Sequence, residues 1–223
     1  MKKKNTKVFA QGICFYKLFW IFVIGCVFGA YYEEILNCVK VFLKTGTFIW
    51  ELRRGVVYGP FSPIYGAGAV LLTALLARKS RPWSKTFLYG ALLGGGFEYL
   101  ISFLQETFIG TISWDYSKQF LNINGRTTIP IMIFWGILTL VFIQWIYPWL
   151  SKWIEKTPYH IGVTVTIICA ILLSFDMLIS WSALIRQNLR RNNVPAYTVV
   201  GEFFDRHYPD EFLEKFYPNM VAK

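Results

Sequence analysis

The sequence predicts an all-α protein: a polytopic transmembrane helical bundle of about five membrane spans, followed by a short amphipathic C-terminal tail. Three observations carry that prediction. The 223 residues are 55% hydrophobic and 19% aromatic, with a mean hydropathy of +0.41. The apolar residues are gathered into several runs near the ~20 residues a helix needs to cross hydrocarbon, which a soluble domain of this length does not have. Two of those runs each enclose an acid, Glu98 within 86–103 and Asp176 within 161–185. An ionised carboxylate in hydrocarbon is costly, so such residues face a bundle interior and carry function.

The first span is predicted over 15–35. Lysines ahead of Leu18 to Ile24 give it the look of a signal peptide, and Val23-Ile24-Gly25-Cys26 resembles a lipoprotein cleavage box. Lys17 shortens that apolar stretch, however, and the run continues past Cys26 to Tyr32, which favours an uncleaved helix. The stretch 39–50 (VKVFLKTGTFIW) is too short to cross and carries Lys40 and Lys44, so it is read as interfacial. The second span covers 61–77, opened by Pro60 and Pro63; the third covers 86–107; the fourth 129–149, opened by Pro130; the fifth 161–185. Proline at a helix start costs little because its missing N–H has no partner there anyway. Trp20, Trp83, Trp149 and Trp153 fall towards span ends, where aromatic belts sit. The domain organisation expected is one membrane domain over 1–185 and a polar tail over 186–223, in which Pro209, Asp210 and Glu211 start a short peripheral helix with Phe212, Leu213 and Phe216 on its apolar face.

Net charge is +10, but the cations sit beside apolar segments: Lys2, Lys3, Lys4 and Lys7 before the first span, Arg78, Lys79, Arg81 and Lys85 between the second and third. That placement fits lipid headgroups and orientation signals, not nucleic acid. Both clusters argue for a cytoplasmic location and agree with two spans between them. Five spans then put the chain's last residues outside, whereas Arg186, Arg190 and Arg191 beside the fifth span prefer the opposite side. Cys14, Cys26, Cys38 and Cys169 are scattered without a C-x-x-C pair, and read as packing residues. With His160 and His207 alone and no H-E-x-x-H, no metal site is expected; no Walker A pattern occurs, and no cofactor is expected.

The polar chemistry gathers in four places. On the third span Ala91, Gly94, Gly95, Glu98, Ser102 and Gln105 share one stripe, and Gly90 with Gly94 forms a G-x-x-x-G pair, so Glu98 is directed at protein. The loop after that span collects Glu106, Trp114, Asp115, Tyr116, Asn122, Asn124 and Arg126, with Asn124-Gly125 favouring a tight turn of positive φ. Glu33 closes the first span and Asp176 has Ser180 one turn on. The candidate substrate- or ion-binding residues are therefore Glu33, Glu98, Glu106, Asp115, Tyr116, Asn124, Arg126 and Asp176. The stretch GPFSPIYGAG at 59–68 lacks the lysine of a phosphate loop; its glycines and prolines allow irregular backbone at membrane depth, tolerated where protein surrounds it.

Over about 29–148 the chain resembles the bacterial family called putative ABC-transporter type IV. The likeness rests on Gly29 with Glu33, Tyr58-Gly59-Pro60-Phe61, Pro63-Ile64-Tyr65-Gly66, Glu98, Glu106, Trp114-Asp115-Tyr116-Ser117, Asn124-Gly125-Arg126 and Trp135-Gly136. Where that family commonly has paired tryptophans before the aspartate, this chain has Ser113-Trp114. The resemblance implies a multi-pass transporter permease of the bacterial cell membrane. Its partners would be the lipid bilayer and either a separate ATP-binding subunit, since the chain has no ATPase motif, or a second copy of itself. Three functions stay open. One is a transport component with Glu98, Asp176 and Glu33 along a polar route. Another is an integral-membrane enzyme acting on a lipid or lipid-linked headgroup, with Glu106 or Asp115 as general base and Arg126 holding an anionic group. The third is a non-catalytic subunit whose polar residues lock helices together.

Overall fold

The computed structural model describes residues 8–222. Eight helices dominate it: α1 (Phe15–Thr45), α2 (Pro63–Leu76), α3 (Trp83–Ile109), α4 (Ile129–Val141), α5 (Tyr147–Glu155), α6 (Tyr159–Arg191), α7 (Val199–His207) and α8 (Asp210–Phe216). A π-helical turn, Phe142–Ile146, joins α4 to α5 so that Ile129–Glu155 forms one span. Pro148 accounts for it: the ring offers no N–H to Gln144 and would crowd that carbonyl, and a wider turn relieves both problems. Four helices are long and apolar enough to cross a membrane: α1, α3, α4–α5 and α6. The fifth apolar helix, α2, has 14 residues and so rises only about 21 Å, short of a ~30 Å hydrocarbon layer.

Antiparallel packing through glycines builds the bundle. α1 meets α2 where a Cβ on Gly29 would collide with Tyr65, and one on Gly66 with Cys26. α3 meets α4 in the same way, with Gly90 against Thr139 and Gly94 against Trp135. The small-residue stripe on α3 thus serves close helix approach. α6 packs on α1 through Trp20, whose indole donates to Thr166 Oγ1 at 2.9 Å, and Gly162 of α6 packs against Phe9, which precedes α1.

Two non-helical segments enter the bundle. α1 continues to Thr45, so the first part of the stretch read as interfacial is helix. The chain then returns along α1 as an irregular strap, 46–62, until the Ser62 N–H bonds the Cys26 carbonyl at 2.9 Å. α2 therefore begins mid-way along α1, which explains its shortness. Val56 and Val57 of the strap are buried against protein, as irregular backbone at this depth requires. The second segment, 110–128, folds back along α3 as a small hairpin, β2 (Asn122–Ile123) with β3 (Thr127–Thr128). Its turn places Asn124 at φ 50° and Gly125 at φ 68°, the conformation an Asn-Gly pair adopts most readily. β1 (Thr111–Ile112) pairs with β4 (Val221–Ala222), tying the tail to the end of α3.

Charge is divided between the two ends. The end where α1 and α3 begin holds Lys17, Arg78, Lys79, Arg81, Lys85, Lys152 and Lys156, and of the chain's 13 acids only Glu155 belongs to it. Lys2, Lys3, Lys4 and Lys7 lie outside the described residues. The opposite end mixes both signs and pairs them. Arg186 holds Asp205 at 2.8 Å, Arg190 holds Asp205 at 2.7 Å and Asp210 at 2.5 Å, and Arg191 lies 3.7 Å from Glu214. The arginines that oppose the expected orientation are thus neutralised by α7 and α8, which dock on α6 through Leu184, Tyr208, Leu213 and Tyr217.

Candidate functional site

The site is assembled from α1, α2, α3, α4 and the 110–128 segment. α3 places Glu98 about 16 Å below its own end at Ile109, from eleven residues at 1.5 Å each. The returning hairpin reaches that depth and supplies two donors. The Tyr116 hydroxyl donates to Glu98 Oε1 at 3.1 Å and the Thr127 hydroxyl to Oε2 at 2.7 Å. Trp135, packed on Gly94, is a third hydrogen-bond partner of the same carboxylate. Glu33 on α1 accepts from the Tyr65 hydroxyl of α2. Both carboxylates act electrostatically on the Tyr116 phenol. Burial pushes the Tyr116 phenol well above its ordinary pKa, the Glu98 charge adds to this, and Glu33 and Tyr32 contribute after it. Among the described residues no lysine or arginine lies within ion-pair distance of Glu33 or Glu98.

The other candidates are held differently. Arg126 Nη2 is 2.5 Å from Glu106 Oε2, and its guanidinium lies over Tyr99 at 5.8 Å and Phe103 at 5.4 Å. Such a pair, desolvated and stacked, makes a firm latch between the hairpin and α3. The Trp114 indole donates to the Arg126 carbonyl at 2.9 Å and fastens the same latch from behind. Asp115 Oδ1 accepts from the Ser117 N–H at 2.8 Å and its hydroxyl at 2.5 Å, the geometry of a side chain shaping its own turn. Asn124 donates to the Tyr99 hydroxyl at 2.9 Å. The enzyme reading asks Glu106, Asp115 and Arg126 to face a shared substrate; here Arg126 is engaged by Glu106, and Asp115 by its own loop.

Asp176 stands in another neighbourhood. Its Oδ1 accepts from the Tyr58 N–H at 3.1 Å and the Ser180 hydroxyl at 3.1 Å, while Ser180 Oγ accepts from the Val57 N–H at 2.8 Å. These two α6 side chains satisfy backbone donors of the strap that no helix supplies with partners. The phenols of Tyr58 and Tyr208 meet at 2.8 Å above them, and burial pushes Tyr208 up to about 12.

Several residues that matter here escape a reading of the sequence alone. Thr127 and Thr128 divide two tasks, the first bonding Glu98 and the second capping α4 by accepting from the Ile131 N–H at 3.1 Å. A threonine two residues before Pro130 is a recognisable helix-start signal for the second task and silent about the first. Glu34, 1% exposed, accepts from Arg54 at 3.2 Å, the Trp50 indole at 3.1 Å and the Arg53 N–H at 3.4 Å; no local pattern announces that. Lys17, fully buried, reaches Glu155 at 2.7 Å and the Ser151 carbonyl at 3.1 Å. Among the described residues no group of three or more His, Cys, Asp or Glu side chains is arranged to hold a metal ion.

Comparison with curated proteins and with solved structures gave no match. The family model described as Putative ABC-transporter type IV matches residues 20–181, from within α1 to within α6 and including both returning segments, Glu33 and Glu98, and the chain belongs to that family.

Proposed function

We propose that this chain is the membrane-embedded, permease-type component of a transport system, and that Glu98, together with Glu33 of α1, is the polar step taken by a proton or a cation through the bundle. The observation that carries the reading is the state of these two carboxylates. Both sit on helices that cross the bilayer and both face protein; Glu33 is met by the Tyr65 phenol and Glu98 by hydroxyl and indole donors, with no cation in reach among the described residues. A carboxylate used only for fastening is cheaper when paired, as Glu34 and Glu106 are. One left without a counter-ion at low dielectric has a strong affinity for a positive charge, which a transported proton or cation supplies.

The two returning segments support the same reading. Irregular backbone inside a membrane bundle can shift without breaking a helix, and transporters commonly build binding sites from such segments. We infer an orientation with the basic end in the cytoplasm, following the Arg78 to Lys85 loop, so that the carboxylates lie towards the outer half. A separate ATP-binding subunit is the partner the family description calls for, and it would meet the cytoplasmic end.

Reconstitution into vesicles tests the proposal. Proton and cation fluxes, with and without ATP-binding proteins encoded nearby, are measured for the native chain and Glu98→Gln. A flux that falls at least tenfold in the variant is expected; flux indifferent to Glu98 would sink the reading.

A further inference from the structure

We infer that α7 is an interfacial anchor whose outer face lies in the headgroup region of the bilayer, taking phospholipid as its partner. The helix is amphipathic in an inverted sense. Its inward face docks on the bundle: Phe204 and Tyr208 join the cluster formed with Ala183, Leu184 and Leu213, and Asp205 accepts from Arg186 and Arg190. Its outward face holds Val199 at 83% exposure, Val200 at 65% and Phe203 at 45%, with Tyr197 just ahead of the helix at 82% and the exposed Glu202, Arg206 and His207 on the same side. A nine-residue surface helix in water places such side chains inward; presenting them outward while burying an ion pair is costly unless the outside is not water.

Depth identifies the occupant. From Tyr159 to Trp181 α6 rises about 33 Å, close to the thickness of a hydrocarbon core, so Trp181 falls at the boundary where tryptophans collect. Arg186, which clasps α7, is about 8 Å further along, the level of the headgroups. The outward face of α6 is apolar up to that clasp, through Leu178, Trp181, Ile185 and Leu189, all exposed. The apolar face of α7 therefore continues the surface that lipid already covers. Arg206 and His207 are exposed farther along the helix, the position from which a cation meets lipid phosphate while the apolar residues enter the acyl boundary. Thr198 holds the helix start in place by accepting from the Gly201 N–H at 3.1 Å.

The test uses the full chain in nanodiscs of mixed phosphatidylcholine and phosphatidylglycerol. The photoreactive residue p-benzoylphenylalanine replaces Tyr197 or Phe203, with Leu178 as a lipid-facing control and Lys215 as an exposed polar control. After irradiation, intact mass is expected to increase by one phospholipid at 197 and 203 at a yield within threefold of that at 178, and at least fivefold above that at 215. Crosslinked dimers at 197 or 203 would overturn the inference in favour of a second copy. Yields at both positions equal to that at 215, with 178 still labelled, would overturn it in favour of water.

Discussion

Glu33 and Glu34 are neighbours on α1, yet they meet opposite fates. Glu34 is answered by Arg54, the Arg53 N–H and the Trp50 indole, all delivered by the strap. Glu33 is answered by the Tyr65 phenol and, like Glu98, acts electrostatically on the Tyr116 phenol. A carboxylate that meets a fixed cation is electrically complete and serves as a fastener. One met by neutral donors alone keeps either a charge or a proton to exchange, in surroundings where both are costly. The same division runs through the whole mixed end. Glu106, Asp205, Asp210 and Glu214 are paired with arginine, whereas among the described residues Glu33, Glu98 and Asp176 are met by neutral donors alone.

The contrast is broken most severely at Glu34. Glu34→Ala removes the buried acceptor shared by half-buried Arg54, the Arg53 N–H and the Trp50 indole, and a loss of roughly 3 kcal/mol is expected, read as a lower unfolding temperature in nanodiscs. If the variant melts with the native chain, the fastener reading of paired acids fails. Acidification gives the next effect. The Arg186 guanidinium, with Arg190 after it, holds the Asp205 carboxyl down at about 2. A depressed carboxyl stabilises the folded form above its ordinary pKa near 4 and loses that contribution as pH falls through the folded value. The docking of α7 and α8 on α6 is thus expected to hold at pH 5 and to loosen between about pH 4 and pH 2, seen as faster hydrogen exchange in α7 before any change in α3. Loosening already at pH 5 would assign the clasp to some other group.

Much of the fold could be read in advance, because hydropathy and helical period report burial directly. The small stripe on α3 foretells that Glu98 faces protein: Gly94 admits the Trp135 ring that then bonds the carboxylate. Asn124-Gly125 foretells the turn that lets the hairpin descend. The hidden part is partner choice. Glu34 and Arg54 are twenty residues apart, Arg186 and Asp205 nineteen, and no periodicity links them. The partner of Asp176 is hidden for a related reason, since it is the backbone N–H of Tyr58, a group every residue but proline carries. The shortness of α2 is hidden too: an apolar run near span length does not reveal that Ser62 is already bonded mid-way along α1.

Neutral substitutions sharpen the comparison with smaller effects on stability. Glu98→Gln keeps an acceptor for one of the Tyr116 and Thr127 hydroxyls and offers an amide N–H to the oxygen of the other, so it is expected to leave the unfolding temperature within a few degrees, a change of about 1 kcal/mol, while flux falls at least tenfold. Native-like flux together with a clear loss of stability would make Glu98 a helix lock, as in a non-catalytic subunit. Asp176→Asn likewise retains an acceptor for the Tyr58 N–H and is expected to cost about 1 kcal/mol with flux preserved; a loss of flux there would bring Asp176 back into the polar route.

Tyr116→Phe is expected to have the smallest effect, and its value lies in combination. The Tyr116 backbone N–H bonds the Gly125 carbonyl at 2.8 Å and survives the change, so the hairpin keeps its fold. Only the hydroxyl aimed at Glu98 is lost, leaving Thr127 and Trp135 on the carboxylate. One neutral hydrogen bond is worth about 1 kcal/mol, so flux should fall roughly fivefold with little change in melting. Combined with Glu98→Gln, the same substitution should cost nothing further, because a hydroxyl that acts through the carboxylate has nothing left to act on. Independent losses that multiply would mean that Tyr116 contacts the transported species on its own account, and the route would then pass the phenol before it reached the acid.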